Sequence, residues 1–331
     1  TLHKSLKLCE EVNNEKFAAY SYAWLSQTCH ELGLLDDAIV YGKKGQTIAG
    51  RIAWDPLLFS HTDSWTTVSL FYKGECAEIE KIANAHLEKG RANSDPRLII
   101  EAILFKGMMF FTAGDYSNCI KKMEETIRRA KDPITFYNGK FLRGMCYLSL
   151  GRLKEAEDAL RETLDLTRHI RSWVRIPQAE MFLTAVQAGR GNLSGGIKNL
   201  LRLQAYFSEN SQKWWTAIVE YIIGNIYFQL IHNEAPTDLK MIIKNIGFLI
   251  KTLPFAAKKS EQHYLAAIQS AKEINAKGIL GQSCLDLGLL YKIKKRYDEA
   301  RKYISKAVKI FEECGAYAFL KQARQALESI S

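Results

Sequence analysis

The chain has 331 residues and a formal net charge of +10, with 47% hydrophobic and 25% charged residues. These proportions are ordinary for a folded, soluble protein. No apolar run approaches the roughly 20 residues that a membrane-spanning helix needs, so we expect no membrane contact. The chain begins at Thr1 without a methionine or a signal peptide, and we infer a fragment of a longer protein.

Catalytic and metal-binding patterns are weak throughout the sequence. The seven cysteines form no Cys-x-x-Cys pair, which argues against a zinc site or disulfides and favours a cytoplasmic location. The seven histidines form no metal-spaced pair, and no grouping suggests a nucleophile. The glycine-rich stretch 189–196 lacks the Gly-Lys-Ser/Thr ending of a phosphate loop and is better explained as a turn. We therefore expect no enzyme activity, no cofactor and no metal.

Hydrophobic periodicity predicts a series of antiparallel helix pairs. After a partial helix over 1–13, the predicted pairs occupy 15–50, 56–90, 97–130, 134–168 and 177–208, and a sixth pair begins with 212–231. Small residues recur in the first helices at positions 26, 67, 107, 144, 184, 224 and 288. Their spacing is 37–41 residues until the last step, which is 64. A repeated helical unit with one insertion explains this spacing.

Helix boundaries are marked by aspartate, proline and glycine. Asp55, Asp95 and Asp132 each precede a proline, which predicts an N-cap followed by proline at the first helical position. Pro177 predicts a similar start without the aspartate. Five glycines are expected to end first helices in the left-handed conformation: Gly33, Gly74, Gly114, Gly151 and Gly191.

The insertion lies at 232–254. Its middle, Asp238 to Lys251, is amphipathic and predicts an extra helix, and Phe255 to Ile274 would then complete the sixth pair. Insertions in repeat proteins often lie on the functional face, although a structural wedge that alters the superhelix is the alternative. The segment lacks the extended aromatic and basic pattern of a membrane-surface helix.

The clearest unit is Gly281 to Phe311. Gly288 and Tyr291 in its first helix, then Ala300 and Ala307 in its second, resemble the tetratricopeptide repeat (TPR), a helix-turn-helix motif. An amphipathic helix from Ala316 to Ser331 follows and would cap the array. The final pair and cap together occupy 255–331. The resemblance implies an all-α, right-handed TPR-like solenoid of about seven helical pairs.

In TPR arrays the first helices line a concave groove, and positions at about −6, −3, +1 and +4 from each small residue would face it. We expect ten of these residues to bind a partner: Met108, Phe111, Asn138, Phe141, Met145, Gln178, Met181, Tyr221, Asn225 and Phe228. Methionine and aromatic side chains adapt to varied ligands, and the amides can bind a peptide backbone. The groove shows no lysine-and-arginine clamp. The alternative is that the superhelix closes and these residues become core.

A second resemblance covers roughly the last 100 residues. The stretch from Phe255 onward is similar to the C-terminal TPR region of large bacterial signalling proteins. Those proteins combine a class III adenylate or guanylate cyclase domain with an AAA or STAND ATPase domain. No cyclase or ATPase motif is present in this chain, so the resemblance implies a regulatory array and no activity of its own.

The predicted function is a binding scaffold or sensor for a partner protein or peptide, or for catalytic domains of its own protein. Trp214 and Trp215 would be an anchor outside the groove if exposed, and core residues otherwise. The alternative function is binding of nucleic acid or an anionic surface by the basic C-terminal face. That face comprises Lys292, Lys294, Lys295, Arg296, Arg301 and Lys302. Base-stacking motifs are absent, so nucleic acid is the weaker hypothesis.

Overall fold

A computed structural model describes residues 2–232 and 239–330, and within these ranges every regular element is an α-helix. The helices are α1 Leu2–Glu11, α2 Glu15–Glu31, α3 Leu35–Ala49, α4 Pro56–Lys73, α5 Cys76–Ala92, α6 Pro96–Thr112, α7 Tyr116–Arg129, α8 Pro133–Ser149, α9 Leu153–His169, α10 Arg175–Gly189, α11 Leu193–Glu209, α12 Lys213–Gln229, α13 Leu239–Glu273, α14 Lys277–Ile293, α15 Tyr297–Cys314 and α16 Tyr317–Glu328. Consecutive helices pack as antiparallel pairs. The predicted all-α TPR-like solenoid is confirmed.

The predicted helix boundaries follow from local chemistry. The Asp132 carboxylate accepts hydrogen bonds from the backbone N–H groups of Ile134 and Thr135, at 3.0 and 2.8 Å. Asp55 and Asp95 cap α4 and α6 in the same way, each followed by proline at the first helical position. All five predicted turn glycines have φ between 69° and 98°. These predictions are confirmed.

Pro177 differs from the prediction. Helix α10 begins at Arg175, so the proline is its third residue and does not start the helix. The position still lies in the first turn, where backbone N–H groups have no partner within the helix. A proline there removes no hydrogen bond and leaves the helix free to begin two residues earlier.

The small residues of the first helices allow close approach of the second helices. A Cβ atom on Gly288 would lie 2.5 Å from Ile304 Cγ1 and 3.2 Å from the Ala300 carbonyl oxygen. At Gly224, an added Cβ would lie 2.9 Å from the ring of Tyr264 on α13. The second contact pairs α12 with the C-terminal half of α13. The glycines therefore serve interhelical packing.

The insertion has a different form from the one predicted. We expected a separate helix before Pro254, but α13 runs without interruption from Leu239 to Glu273 and contains Pro254. The predicted start at Asp238 lies outside the described residues. Burial on both sides of the proline explains the continuity, since Thr252 and Ala256 are 4% and 0% exposed. Packing against the array holds the helix together despite the lost hydrogen bond.

The array closes on itself. The turn at Gly74 contacts Cys314 at the end of α15, and the turn at Gly114 contacts Ala318 and Phe319 on α16. The backbone N–H of Ala318 donates to the carbonyl oxygen of Ala113 at 3.3 Å. Helices α15 and α16 thus return to the ends of α4 and α6.

Two further contacts join early and late repeats of the array. The rings of Tyr72 and Trp214 stack with centroids 3.8 Å apart and an interplanar angle of 7°. Lys277 Nζ lies 3.2 Å from Glu75 Oε1. We call these contacts, with those at Gly74 and Gly114, the closure.

Gly288→Ala tests the packing role of the repeat glycine. Its methyl group would collide with Ile304, and overpacking of this kind costs about 1–3 kcal/mol. The gain in helix propensity is about 1 kcal/mol, so a net loss of up to about 2 kcal/mol in the free energy of unfolding is expected. Urea titration measures it. The control is Gly247→Ala, where an added Cβ meets nothing within 4 Å and stability should rise. Equal gains for both variants would contradict the packing role.

Trp214→Ala tests the closure. Removing the indole deletes the stack with Tyr72, an aromatic pair worth about 0.5–1.5 kcal/mol beyond its buried area. We expect the ends to separate and the radius of gyration from solution X-ray scattering to increase, with helix content retained. Trp173→Ala, at an indole 74% exposed, is the control. An unchanged radius in the Trp214 variant would contradict the role of this contact.

Candidate binding cavity

Closure turns the predicted groove into a central cavity of about 1600 Å³. Its walls come mainly from the first helices of successive pairs, α2, α4, α6, α8, α10, α12 and α14, as in a TPR concave surface. Parts of α15 and α16 close one side through Phe311 and Phe319. Neither of the simple alternatives, an open groove or a filled core, describes this arrangement.

The structure places eight of the ten predicted partner-binding residues on the cavity wall: Met108, Phe111, Asn138, Phe141, Met145, Gln178, Tyr221 and Asn225. Met181 and Phe228 lie elsewhere. Met181 is 0% exposed in the core, and Phe228 is 8% exposed and packs against His232 and Tyr264. Both are turned away from the cavity by the rotation of their helices. Their role in partner binding is therefore not supported by their position.

Aromatic side chains form much of one wall. Phe141 stacks on Tyr137 at 5.4 Å and meets Phe182 edge-on at 5.4 Å. Trp215, 8% exposed, packs on Phe207 and so belongs to the core and the wall together. Trp214 lines the cavity at the closure. The predicted outer anchor at these two tryptophans is therefore absent, because Trp215 is buried in the core and Trp214 is half-buried against Tyr72.

Tyr221 is held in place by a buried acid. Its hydroxyl donates to Asp286 Oδ2 at 2.8 Å, and Gln282 Nε2 lies 3.3 Å from both carboxylate oxygens. Burial raises the pKa of Asp286 to about 6, although the hydrogen bonds from Tyr221, Gln282 and Asn225 oppose that rise. The acid fixes the tyrosine ring against the cavity. Three of these polar side chains, Tyr221, Asn225 and Gln282, line it.

Arg175 introduces a positive charge that was not predicted. It lines the cavity, with its guanidinium carbon 5.0 Å above the centre of the Tyr137 ring. The described residues provide no ion-pair partner for it within 4 Å. Glu31 also lines the cavity, and burial raises its pKa while Arg175 lowers it. Asp95 and Asp132 also line the cavity, but their carboxylates accept the capping hydrogen bonds of α6 and α8. They are therefore less available to a ligand than Arg175 and Glu31.

His30 lies next to Arg175 and stays neutral. Its Nδ1 is 2.9 Å from Ser69 Oγ, and its ring packs on Tyr72 at 4.9 Å. Burial, with a smaller contribution from Arg175, lowers the pKa of His30 to about 3. Arg175 is therefore the positively charged group in this part of the cavity.

A buried polar cluster links α4, α5 and α6, and two of its members, Ser60 and Glu101, also line the cavity. His86 Nε2 lies 2.7 Å from Asp63 Oδ2, and its Nδ1 lies 3.4 Å from Glu101 Oε2. Ser60 donates to the other oxygen of Glu101 at 2.6 Å. Burial lowers the pKa of His86, but the two acids raise it more, to about 9. The imidazolium compensates two carboxylates and links three helices.

The basic C-terminal face carries internal ion pairs. Lys294 and Arg296 contact Glu261 at 2.7 and 3.1 Å, and Arg296 also contacts Glu299 at 2.6 Å. Lys292 donates to the Ser329 hydroxyl at 2.6 Å. Binding of nucleic acid or an anionic surface there stays a prediction, and these partners argue against it because they compete for the same cations.

The described residues contain no group of three or more histidine, cysteine, aspartate or glutamate side chains placed to hold a metal ion. Their helices also include none that is long and apolar enough to cross a membrane. In the glycine-rich stretch 189–196, α10 ends at Gly189 and α11 begins at Leu193, as expected for a turn between helices.

Comparisons with known proteins support the repeat assignment. Residues 138–169 and 281–314 match the family model of the tetratricopeptide repeat. No curated protein matches significantly. A Rap protein complexed with Competence and Sporulation Factor is similar to this chain at 14% identity and TM-score 0.64, over 97% of this chain and 85% of its own. The Cut9–Hcn1 hetero-tetramer of APC/C is similar at 16% identity and TM-score 0.52, over 97% and 59%.

A STAND protein with a TPR sensor from Pyrococcus horikoshii also matches, at 16% identity and TM-score 0.45, over 90% of this chain and 42% of its own. At these identities the comparisons show a shared fold, and the last one is too distant to bear on function. Two segments of the chain thus match the repeat itself, and the whole chain has the fold of TPR-repeat helical proteins.

Sequence reasoning missed Arg175, Glu31 and Tyr72. Glu31 and Tyr72 lie near the ends of α2 and α4, beyond the repeat positions used to find the groove. Arg175 was placed in a loop because the helix was expected to start at Pro177. Closure brings α10 and the ends of α2 and α4 to one side of the cavity, and no repeat pattern encodes that.

The His86 cluster predicts a pH dependence of stability. Because the pKa of His86 is raised above its ordinary 6.5, the stabilisation is complete below pH 6.5 and is lost as the pH rises through about 9. The free energy of unfolding should therefore fall between these values, and urea titrations at several pH values measure it. In His86→Gln this fall should be smaller. Identical pH profiles of the variant and the unmodified protein would contradict the assignment.

Proposed function

We propose that the chain is a non-catalytic sensor scaffold that binds a short peptide, or a peptide-like segment of a partner protein, in the central cavity. The observation that carries the proposal is the cavity itself. Its volume of about 1600 Å³ exceeds that of a typical small-molecule site and suits a chain of several residues. Its wall combines apolar side chains with amides of Asn138, Gln178 and Asn225, which suit backbone groups.

Arg175 supplies a specific contact for such a ligand. A guanidinium binds a carboxylate through two parallel hydrogen bonds, and its stacking on Tyr137 orients it. In a cavity of low polarity, a cation without an ion-pair partner favours a negatively charged group. The proposed ligand therefore carries a carboxylate, either a peptide C-terminus or an acidic side chain.

A regulatory role follows from the position of the cavity. Tyr72 and Trp214 line it and also form the closure, so a ligand there contacts both sides of the closure. A ligand shifts a conformational equilibrium only if it binds the two states with different affinity, and a ligand that touches both sides meets this condition because it loses contacts when the closure opens. The sequence resemblance supports placing the array in a multidomain bacterial signalling protein. The Rap complex with Competence and Sporulation Factor supports ligand binding by this fold.

Peptide capture tests the proposal. The immobilised protein is incubated with two pools of random hexapeptides, one with free C-termini and one amidated, and retained peptides are identified by mass spectrometry. We expect retention of apolar peptides with a free carboxylate. Arg175→Gln should weaken their binding roughly 10- to 100-fold, since hydrogen bonds to charged groups contribute about 1.5–3 kcal/mol.

Arg91→Gln is the matched control, because Arg91 is exposed on α5 and lies away from the cavity. A second variant, Phe141→Ala, removes part of the apolar wall and should also reduce retention, with circular dichroism to check the fold. Retention of neither pool would contradict peptide binding. Equal retention of both pools, unaffected by Arg175→Gln, would contradict the carboxylate contact alone.

A further inference from the structure

The N-terminal half of α13 exposes a row of large apolar side chains. Ile243, Ile246, Ile250 and Leu253 are 62%, 53%, 69% and 45% exposed. Isolated exposed apolar residues are normal on protein surfaces, but four on one helix form a continuous patch. We call this row the α13 seam.

The opposite face of the same half-helix is fixed to the array. Asn245 is 4% exposed, and its side-chain amide donates to the carbonyl oxygen of Gly191 at 2.8 Å. Thr252 is 4% exposed, and Phe248 and Leu249 pack against the main core. The seam is therefore held on a rigid support and points away from both the core and the cavity.

The spacing of the seam is that of a helix-to-helix contact. Its residues are separated by three, four and three positions, as the apolar positions a and d of a heptad are. On a helix of 3.6 residues per turn they fall within an arc of about 80°. The exposed ring of Phe255 lies outside this arc, and a helix that lies in a membrane surface has a broader apolar face, so a partner helix is favoured.

The charges beside the seam indicate which charges a partner helix would carry. Residues 239–260 include five lysines and no aspartate or glutamate. Lys251 and Lys258 are exposed and occupy the same heptad position, seven residues apart. Pairing with a second copy of this helix would bring basic helices together, whereas acidic flanks would complement the lysines. Gly247, where an added Cβ meets nothing within 4 Å, leaves room beside the seam for close approach.

We propose that the α13 seam is a docking surface for an amphipathic helix of a partner protein that carries acidic residues beside its apolar positions. The surface is separate from the cavity, so this interaction does not depend on peptide binding there. Helix α13 would thus pack on α12, which lines the cavity, through its C-terminal half and bind a partner through its N-terminal half.

The probe is a pair of designed helical peptides about four heptads long, with the same isoleucine and leucine core. One carries glutamate and the other lysine at the flanking positions. Titration by fluorescence anisotropy should show saturable binding of the acidic peptide that weakens as salt is added, and little binding of the basic one. Lys251→Glu combined with Lys258→Glu should reverse the preference.

Ile246→Ser and Ile250→Ser remove exposed seam residues, so the fold should survive. Each should weaken binding of the acidic peptide roughly tenfold or more, the loss expected for an isoleucine buried at an interface. Leu201→Ser, at a leucine 41% exposed on α11, is the control and should bind normally.

Three results would overturn the proposal. The first is absence of binding by the acidic peptide, or binding that the seam variants leave unchanged. The second is self-association of the protein through the seam, measured by sedimentation velocity and abolished by Ile250→Ser. The third is seam-dependent binding to phosphatidylserine vesicles without binding of the acidic peptide, which would identify a lipid surface as the occupant.

Discussion

The contact between the two ends of the array determines most of what is distinctive in this molecule. A helical solenoid is held together by neighbours along the chain, and its concave surface is open unless a full turn is completed. Here the loops at Gly74 and Gly114 contact Cys314 and Phe319, which belong to the last two helices of the array. These turns are glycines in the left-handed conformation, so they provide a compact surface without side chains. The cavity and the positions of Arg175 and Trp214 all depend on this meeting.

How much could be read from the sequence depended on how local each feature is. The caps at Asp55 and Asp132 and the glycine at 288 concern one helix or one pair, so repeat spacing and propensity were sufficient. Continuity of α13 through Pro254 was not predictable, because burial of Thr252 and Ala256 outweighed a local helix-breaking signal. Met181 and Phe228 were misplaced because a fixed offset ignores helix rotation.

Charged side chains on the surface and charged side chains around the cavity are compensated in different ways. On the outer surface, Lys294 and Arg296 have acidic partners, and such exposed pairs contribute little to stability. Around the cavity, Asp286 depends on neutral donors and Arg175 on the face of Tyr137. Charges in a poorly solvated environment cost free energy unless compensated. The ligand contact proposed above would compensate Arg175, whereas the cluster around His86 is compensated internally.

Helix α13 is about 52 Å long at 1.5 Å per residue and contains 35 residues. Pro254 divides it into a half that carries the seam and a half that packs on α12 through Tyr264. A proline inside a helix removes one backbone hydrogen bond and makes that point the easiest place to bend. Both halves are nevertheless packed against the array, through Asn245 and Thr252 on one side and Tyr264 on the other. A partner docked at the seam would therefore hold the same rigid helix that packs beside Gly224 on α12, the helix that also places Tyr221 against the cavity.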